Sequence, residues 1–458
     1  MNLQYEPDDT EKGAQESLEQ QCVPDAFEIY IDSGWPYDLS PLNRVEHLRI
    51  LQIRDRPSEA LVERGIDFTP ITNLKELEVL WLPNFTVDNL TLQFLNKLEN
   101  LRSIAIELSN SDLTDVEMFR NLEVVSISAS NLEEGYTLDM SPFASECLKI
   151  AQFHFIRGPT FLNLEPLSKC KQLEKLRIDE NPYAEGLKNL DLTPLKNCNK
   201  FKLLIAKVGC SINFSNKSNV EILELDVKKD IALEFLKGWK LLKQFRLRIN
   251  VWQSELIVPI KYCENLVHLS IKTDAQGPSI DLDQLTGHPK LKELIIDCIN
   301  MRSYFHDSMK IPTITSLEKV SINRGERLKS LDLSGLANNE NLRRFDTSYC
   351  SHLKNLDLSP LTSCNNLERL SLSANTTIDL TPLSGHMKLT GVSIGYLYGG
   401  EDGSWLNITP LLFCPNLTVF SCSGYETEIR LDKSQYERVQ SEGNLPGMFS
   451  HLDDIVWY

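Results

Sequence analysis

Eleven cysteines, eight histidines and 64 acidic residues give this 458-residue chain the groups for metal, thiol or acid–base chemistry. Their spacing argues against each. Zinc held by a folded loop needs close pairs such as CxxC or HxxxH, and the sequence has neither. Cys170, Cys198, Cys263, Cys364 and Cys414 instead stand three residues before a Leu or Phe, a fixed slot that suits a small buried thiol chosen for packing. His288 and His386 occupy the same slot, while His154, His268 and His352 have no nucleophile motif near them. The expectation is a non-enzyme without metal or cofactor. A Gly-rich stretch from Gly395 to Trp405 holds Tyr396, Tyr398 and Trp405 but lacks the GxGxxG spacing of a dinucleotide cradle. It reads either as an aromatic contact element on a long loop or as a loop that folds its rings onto the protein's own edge.

The elements that position these residues form a repeat. The pattern apolar-x-x-apolar-x-apolar opens at Leu48, Leu77, Leu101, Leu122, Leu148, Leu173, Phe201, Val220, Leu242, Leu266, Leu291, Leu317, Leu342, Leu367, Leu389, Leu417 and Leu452. These openings recur about every 25 residues, the period of a unit holding one short strand and a return segment. A second element keeps the same phase. Asp, apolar, Ser or Thr, Pro, apolar begins at Asp38, Asp67, Asp139, Asp191, Asp357 and Asp379, with looser copies at Asn163, Asp281, Asp332 and Asn407. Proline is pre-set for the first turn of a helical segment, and the Ser or Thr hydroxyl is the expected cap for its orphan amides.

From Asp38 to Tyr458 the chain is similar to the leucine-rich repeat superfamily. It most resembles cytoplasmic prokaryotic and archaeal arrays with a Leu-Asp-Leu-Ser-Pro-Leu signature, here Leu356 to Leu361. Asn181, Cys350 and Asn375 keep the Asn or Cys of that family's repeat. The resemblance implies an α/β leucine-rich repeat solenoid, an irregular horseshoe or arc, with a concave parallel β-sheet that binds a protein partner. The domain organisation expected is an acidic segment and cap at 1–37, an array of about 16 repeats at 38–435, and a C-terminal cap at 436–458.

Within each strand, the two positions flanking the third apolar residue point away from the core. In the middle of the array they are Arg177 and Asp179, Lys207, Glu224 and Asp226, Arg246 and Arg248, and Lys272, with Trp81 and His154 at the margin. Together with Tyr396, Tyr398 and Trp405 these are the candidate partner-binding residues. A second reading has neighbouring strands satisfying one another's charges across the sheet. The Ser-rich positions from Ser371 to Ser423 admit close approach of a partner backbone, or form a tightly packed solvated sheet.

The net charge is -17, which argues against a general grip on phosphate backbones and so against a nucleic-acid partner. Residues 1–40 hold ten acidic side chains and one basic, so about half of that charge lies there and the outward strand positions are balanced. No apolar run approaches the roughly 18 residues that span a bilayer, and Met1 to Gln21 has neither a basic start nor an apolar stretch. No membrane role and a cytoplasmic location are expected. The leading function is a non-enzymatic scaffold for a protein partner. One alternative is an inhibitor or neutralising partner of a basic protein; another, implied by the resemblance, is a regulator of GTPase turnover.

Overall fold

The structure is a computed structural model. It describes residues 7–55, 66–87, 95–108, 113, 118–130, 132–181, 186–228, 233–249, 255–256, 260–273, 279–280, 282–298, 308–325, 328–350, 352–354, 356–373, 378–397, 404–424, 427–451 and 455–457. The chain divides into two compact units, Met1–Val220 and Glu221–Tyr458. Among the described residues no helix is long and apolar enough to cross a membrane.

In the first unit the helix Asp9–Gln21 precedes the strand Glu28–Ile31. Parallel strands follow at Ile50–Ile53, Val79–Val87, Ser103–Leu108, Val124–Ala129, Ile150–Phe155, Lys175–Glu180 and Leu203–Val208. Each begins two residues after a repeat opening, so the sequence period and the strand period coincide. Register is set by burial. Leu51, Leu80, Ile104, Val125, Ala151, Leu176 and Leu204 are partners in succession, and all are buried. A slip of one residue would turn that whole row to solvent.

The second unit repeats the arrangement with strands Ile222–Val227, Gln244–Ile249, His268–Thr273, Glu293–Cys298, Lys319–Asn323, Arg344–Thr347, Arg369–Ser373, Gly391–Leu397 and Val419–Gly424. Its buried row runs Leu223, Phe245, Leu269, Leu294, Val320, Phe345, Leu370 and Val392. The opening at Leu452 lies outside the described residues. The strand just beyond it, Ile455–Trp457, does not extend this row; it pairs with Thr427–Leu431 in a separate three-stranded sheet that also holds Ser404–Asn407. The helix Lys433–Ser441, whose first turn is capped by Asp432 accepting the Gln435 N–H at 3.0 Å, interrupts the repeat there.

The Asp-x-Ser/Thr-Pro element folds into a 3-10 turn, or into one α-helical turn at Thr69–Thr72, with the proline at its start, but its cap differs from the expected one. The acceptor is the Asp carboxylate, not the Ser or Thr hydroxyl. It takes the N–H two residues on, at 2.8 Å from Ser40 to Asp38, 2.9 Å from Thr69 to Asp67, 2.9 Å from Ser359 to Asp357 and 2.9 Å from Thr381 to Asp379. Asn163 and Asn407 do the same with their side-chain oxygens, at 3.1 and 2.9 Å. An ionised carboxylate is the stronger acceptor, and its short side chain closes this local turn without strain. Hydrogen bonds from Thr69, Ser334 and Ser359 accordingly hold Asp67, Asp332 and Asp357 below the usual carboxylate value.

The slot three residues before each opening also does more than fill space. Where it holds Cys, Ser, Asn or His, its side chain reaches a carbonyl of the preceding repeat. Cys198 reaches Leu167 O at 3.3 Å, Cys414 reaches Leu383 O at 3.1 Å and Ser145 reaches Arg120 O at 2.7 Å. Asn339 takes the same role toward Leu317 O at 3.1 Å, and His386 faces Leu361 O at 3.1 Å. Burial pushes the thiols of Cys170 and Cys263 up to about 12, and those of Cys198, Cys364 and Cys414 up to about 11. They stay protonated donors and poor nucleophiles. At His288, Nε2 lies 3.1 Å from Cys263 O while Nδ1 accepts the Leu291 N–H at 3.1 Å. That network assigns a neutral ring, and burial lowers its pKa below the ordinary histidine value.

Two stability predictions follow from these turns. Replacing Asp357 with Ala should lower the stability measured by urea unfolding by about 1 kcal/mol, whereas Asp357→Asn, which keeps the acceptor, should cost less. Because the folded pKa of Asp357 is depressed, its contribution is whole above the unfolded value of about 3.9 and fades as pH falls through the folded value; Asp357→Asn should remove that share of the acid dependence. For His288 the folded pKa is also depressed, so its contribution is whole above about 6.5 and is lost as pH falls further. His288→Cys should flatten that part of the stability profile, and an unchanged profile would contradict the neutral-ring assignment.

Candidate partner-binding face

In the first unit, parallel register brings His154, Asp179 and Lys207 side by side on three strands. Arg177 lies two residues before Asp179 and so projects from the same face. Asp179 becomes a hub for three basic side chains: Arg177 Nε at 2.5 Å, His154 Nδ1 at 3.4 Å and Lys207 Nζ at 3.9 Å. Its side chain is only 20% exposed, and its Oδ1 has no hydrogen-bond partner. Burial lowers the His154 pKa; Asp179 offsets this, and Arg177 and Lys207 add to it. Trp81 also faces outward at 40% exposure. Its Nε1–H donates to Ser103 Oγ at 2.8 Å, so its polar edge is satisfied while much of the ring stays in solvent.

In the second unit the rule is one cation against one acid on the next strand. Arg246 stands opposite Glu224 with 3.9 Å between charged atoms, and Arg248 opposite Asp226 with 3.6 Å. Lys272 stands opposite Asp297 at 3.6 Å, and Arg324 approaches the same acid at 3.9 Å. Thus charges at Arg177, Asp179, Lys207, Glu224, Asp226, Arg246, Arg248 and Lys272 are matched within each unit.

Trp405 is not brought to these rows. It sits in the strand Ser404–Asn407 of the separate sheet, where the Arg430 guanidinium lies 4.9 Å from its ring centre and is itself held by Glu428 at 2.8 Å. The ring is held from one side by that guanidinium and is 39% exposed. Tyr398 and the side chain of Tyr396 lie outside the described residues.

One row of charges escapes a readout confined to the positions around the third apolar residue. The residue just after each opening reads Arg49, Glu78, Arg102, Glu123, Lys149, Glu174, Lys202 in the first unit. Glu78 is bridged by Arg49 at 3.6 Å and Arg102 at 3.7 Å, and Glu123 by Arg102 at 3.5 Å and Lys149 at 2.5 Å. In the second unit Lys243 pairs with Glu221 at 2.6 Å, Lys292 with Glu318 at 2.7 Å and Arg343 with Glu368 at 3.2 Å. The alternation of sign at a fixed repeat position, strict in the first unit, is the signal that reveals it.

No protein-family model and no curated protein matches the chain. Among solved structures, TLR13 in its complex with ssRNA13 is similar over 87% of this chain and 65% of that one, at 14% identity and a TM-score of 0.51. The functional domain of InlJ from Listeria monocytogenes, described as including a cysteine ladder, is 16% identical over 77% of this chain and 68% of that one, with a TM-score of 0.44. The LRR protein LIC12759 of Leptospira interrogans is 13% identical over 85% and 98% of the two chains, also with a TM-score of 0.44. At such identities the likeness shows a fold, the leucine-rich repeat, and no ligand.

The Asp179 hub makes a direct prediction. In Asp179→Asn the group that raises the His154 pKa is gone while burial, Arg177 and Lys207 remain. The imidazole should titrate at a lower pH than in the wild type when followed by NMR of its ring protons. Stability should fall by on the order of 1 kcal/mol; an unmoved titration would show that Asp179 does not act on His154.

Proposed function

We propose that this chain, which carries the leucine-rich repeat fold, is a non-enzymatic scaffold that holds a protein partner against the concave strand face of its array. Residues 38–435 supply the face, and 1–37 and 436–458 serve as its caps. The observation that carries this reading is the state of the matched charges. Arg246 and Arg248 are 50% and 44% exposed and stand 3.9 and 3.6 Å from their acids. Pairs so loose and wet contribute about 0–1 kcal/mol each. A partner's own charges can replace them at little cost, while the buried apolar rows keep the sheet beneath unchanged. Trp81 adds an exposed aromatic side chain of the kind that anchors interfaces.

Leucine-rich repeat faces accept more than one kind of ligand, and the TLR13 structure holds ssRNA. For this chain the net charge of -17 and the balanced charges of the strand face favour protein over a polyphosphate. Among the described residues ten cysteines are free, which fits a reducing cytoplasm.

The test is recovery of partners by the full-length protein and by an Arg246→Glu/Arg248→Glu variant. Charge reversal should reduce recovery of specific partners by roughly tenfold or more, and added salt should weaken what remains. Equal recovery by the two proteins would remove this part of the face from the interface.

A further inference from the structure

Most charges described above alternate or pair; a row in the second unit does neither. Lys319, Arg344 and Arg369 are the first residues of three adjacent strands and are partners in register. Like charges set against one another on neighbouring strands destabilise a sheet. Glu293 stands opposite Lys319 in register, but among the described residues none of these three cationic side chains takes part in an ion pair or hydrogen bond. The acids around them are engaged elsewhere. Glu293 is held by His268 at 2.9 Å, Glu318 by Lys292 at 2.7 Å and Glu368 by Arg343 at 3.2 Å, while Asp346 accepts the Ser348 N–H at 2.8 Å. Fold stability therefore does not account for this row.

The same register continues from Arg369 to Gly391 and then to Val419. The five residues line one cleft of about 560 Å³, with Ser371 and Ser393 on its floor. Gly391 keeps the cleft open: a Cβ there would meet only Arg369 Cγ and Val419 Cβ, each at 3.9 Å. Beyond the gap, Val419 is 61% exposed.

We propose that this cleft docks a short acidic peptide segment of a partner protein, its carboxylates on Lys319, Arg344 and Arg369 and an apolar side chain against Val419. This rests on the scaffold reading and names the chemistry of what the second unit holds. The shape of the site selects the ligand. Strands lie about 4.8 Å apart, so the three cations spread over about 10 Å in a line. The backbone N–H groups between them are spent in the sheet ladder and form no nest for a single anion. A linear series of carboxylates on an extended chain matches that geometry. A nucleic-acid backbone matches it less well, because the row has no aromatic ring for bases to stack on.

The experiment is fluorescence anisotropy of a labelled Glu-Glu-Glu-Gly-Leu peptide titrated with the full-length protein. Saturable binding that weakens with salt is expected, with roughly tenfold or greater loss in Arg344→Glu. That variant should unfold no earlier in urea than the wild type, since its acid would stand between Lys319 and Arg369, so lost binding would not reflect a lost fold. Gly391→Val keeps every charge and fits the strand, and should also weaken binding by filling the gap. Equal binding by wild type and the charge-reversed variant would overturn the site. So would an oligonucleotide that binds more tightly than the peptide, or inorganic phosphate that displaces the peptide at equal concentration. Absence of peptide binding with partner capture through Arg246 and Arg248 intact would overturn this site and leave the scaffold reading standing.

Discussion

A single repeat of this chain offers one short strand with two or three apolar side chains, too few to bury themselves. It becomes stable only when the next strand lies parallel and in register, so that each apolar slot meets its equivalent, as Val125 meets Ala151 and Leu294 meets Val320. Full burial of one such side chain is worth about 1.5–3 kcal/mol, and every strand of the main rows contributes one. The steps between strand openings in the main rows vary from 19 to 29 residues. That variation is absorbed by the return segments, because the stacked strands tolerate none of it.

The return segments are disciplined by polar chemistry. An Asp or Asn carboxylate or amide oxygen starts the 3-10 turn, proline fixes its first residues, and a buried Cys, His, Asn or Ser donates back to the preceding repeat. On the strand side, charges are organised by the same register that stacks the core. A row that alternates in sign satisfies itself across the sheet, as at Arg49, Glu78, Arg102 and Glu123. A row that does not alternate, as at Lys319, Arg344 and Arg369, sets like charges against one another.

Strand positions were legible in the sequence because a fixed period and a two-residue alternation are both written in apolar residues. The buried cysteine slot was legible for the same reason. The cap was not: Asp and Ser both occur in the turn element, and only geometry shows that the carboxylate accepts while the Ser or Thr supplies the N–H. Ile455–Trp457 carries the right residues for a further repeat, yet the helix before it directs it into another sheet with Thr427–Leu431. Trp405 follows the same separate sheet. The alternating row beginning at Arg49 was present in the letters, but it sits one residue before the strands begin. The adjacency of Lys319, Arg344 and Arg369 emerges only once 25-residue steps are converted into register.

The central claim is that the strand face, not the turn face, meets the partner. Covalent labelling of lysines, read by mass spectrometry with and without the recovered partner, separates the two. Lys207, Lys272 and Lys319 project from strands, whereas Lys169, Lys196 and Lys237 lie on 3-10 turns. Protection confined to the strand lysines is the predicted result; protection of the turn lysines with the strand lysines still reactive would contradict it.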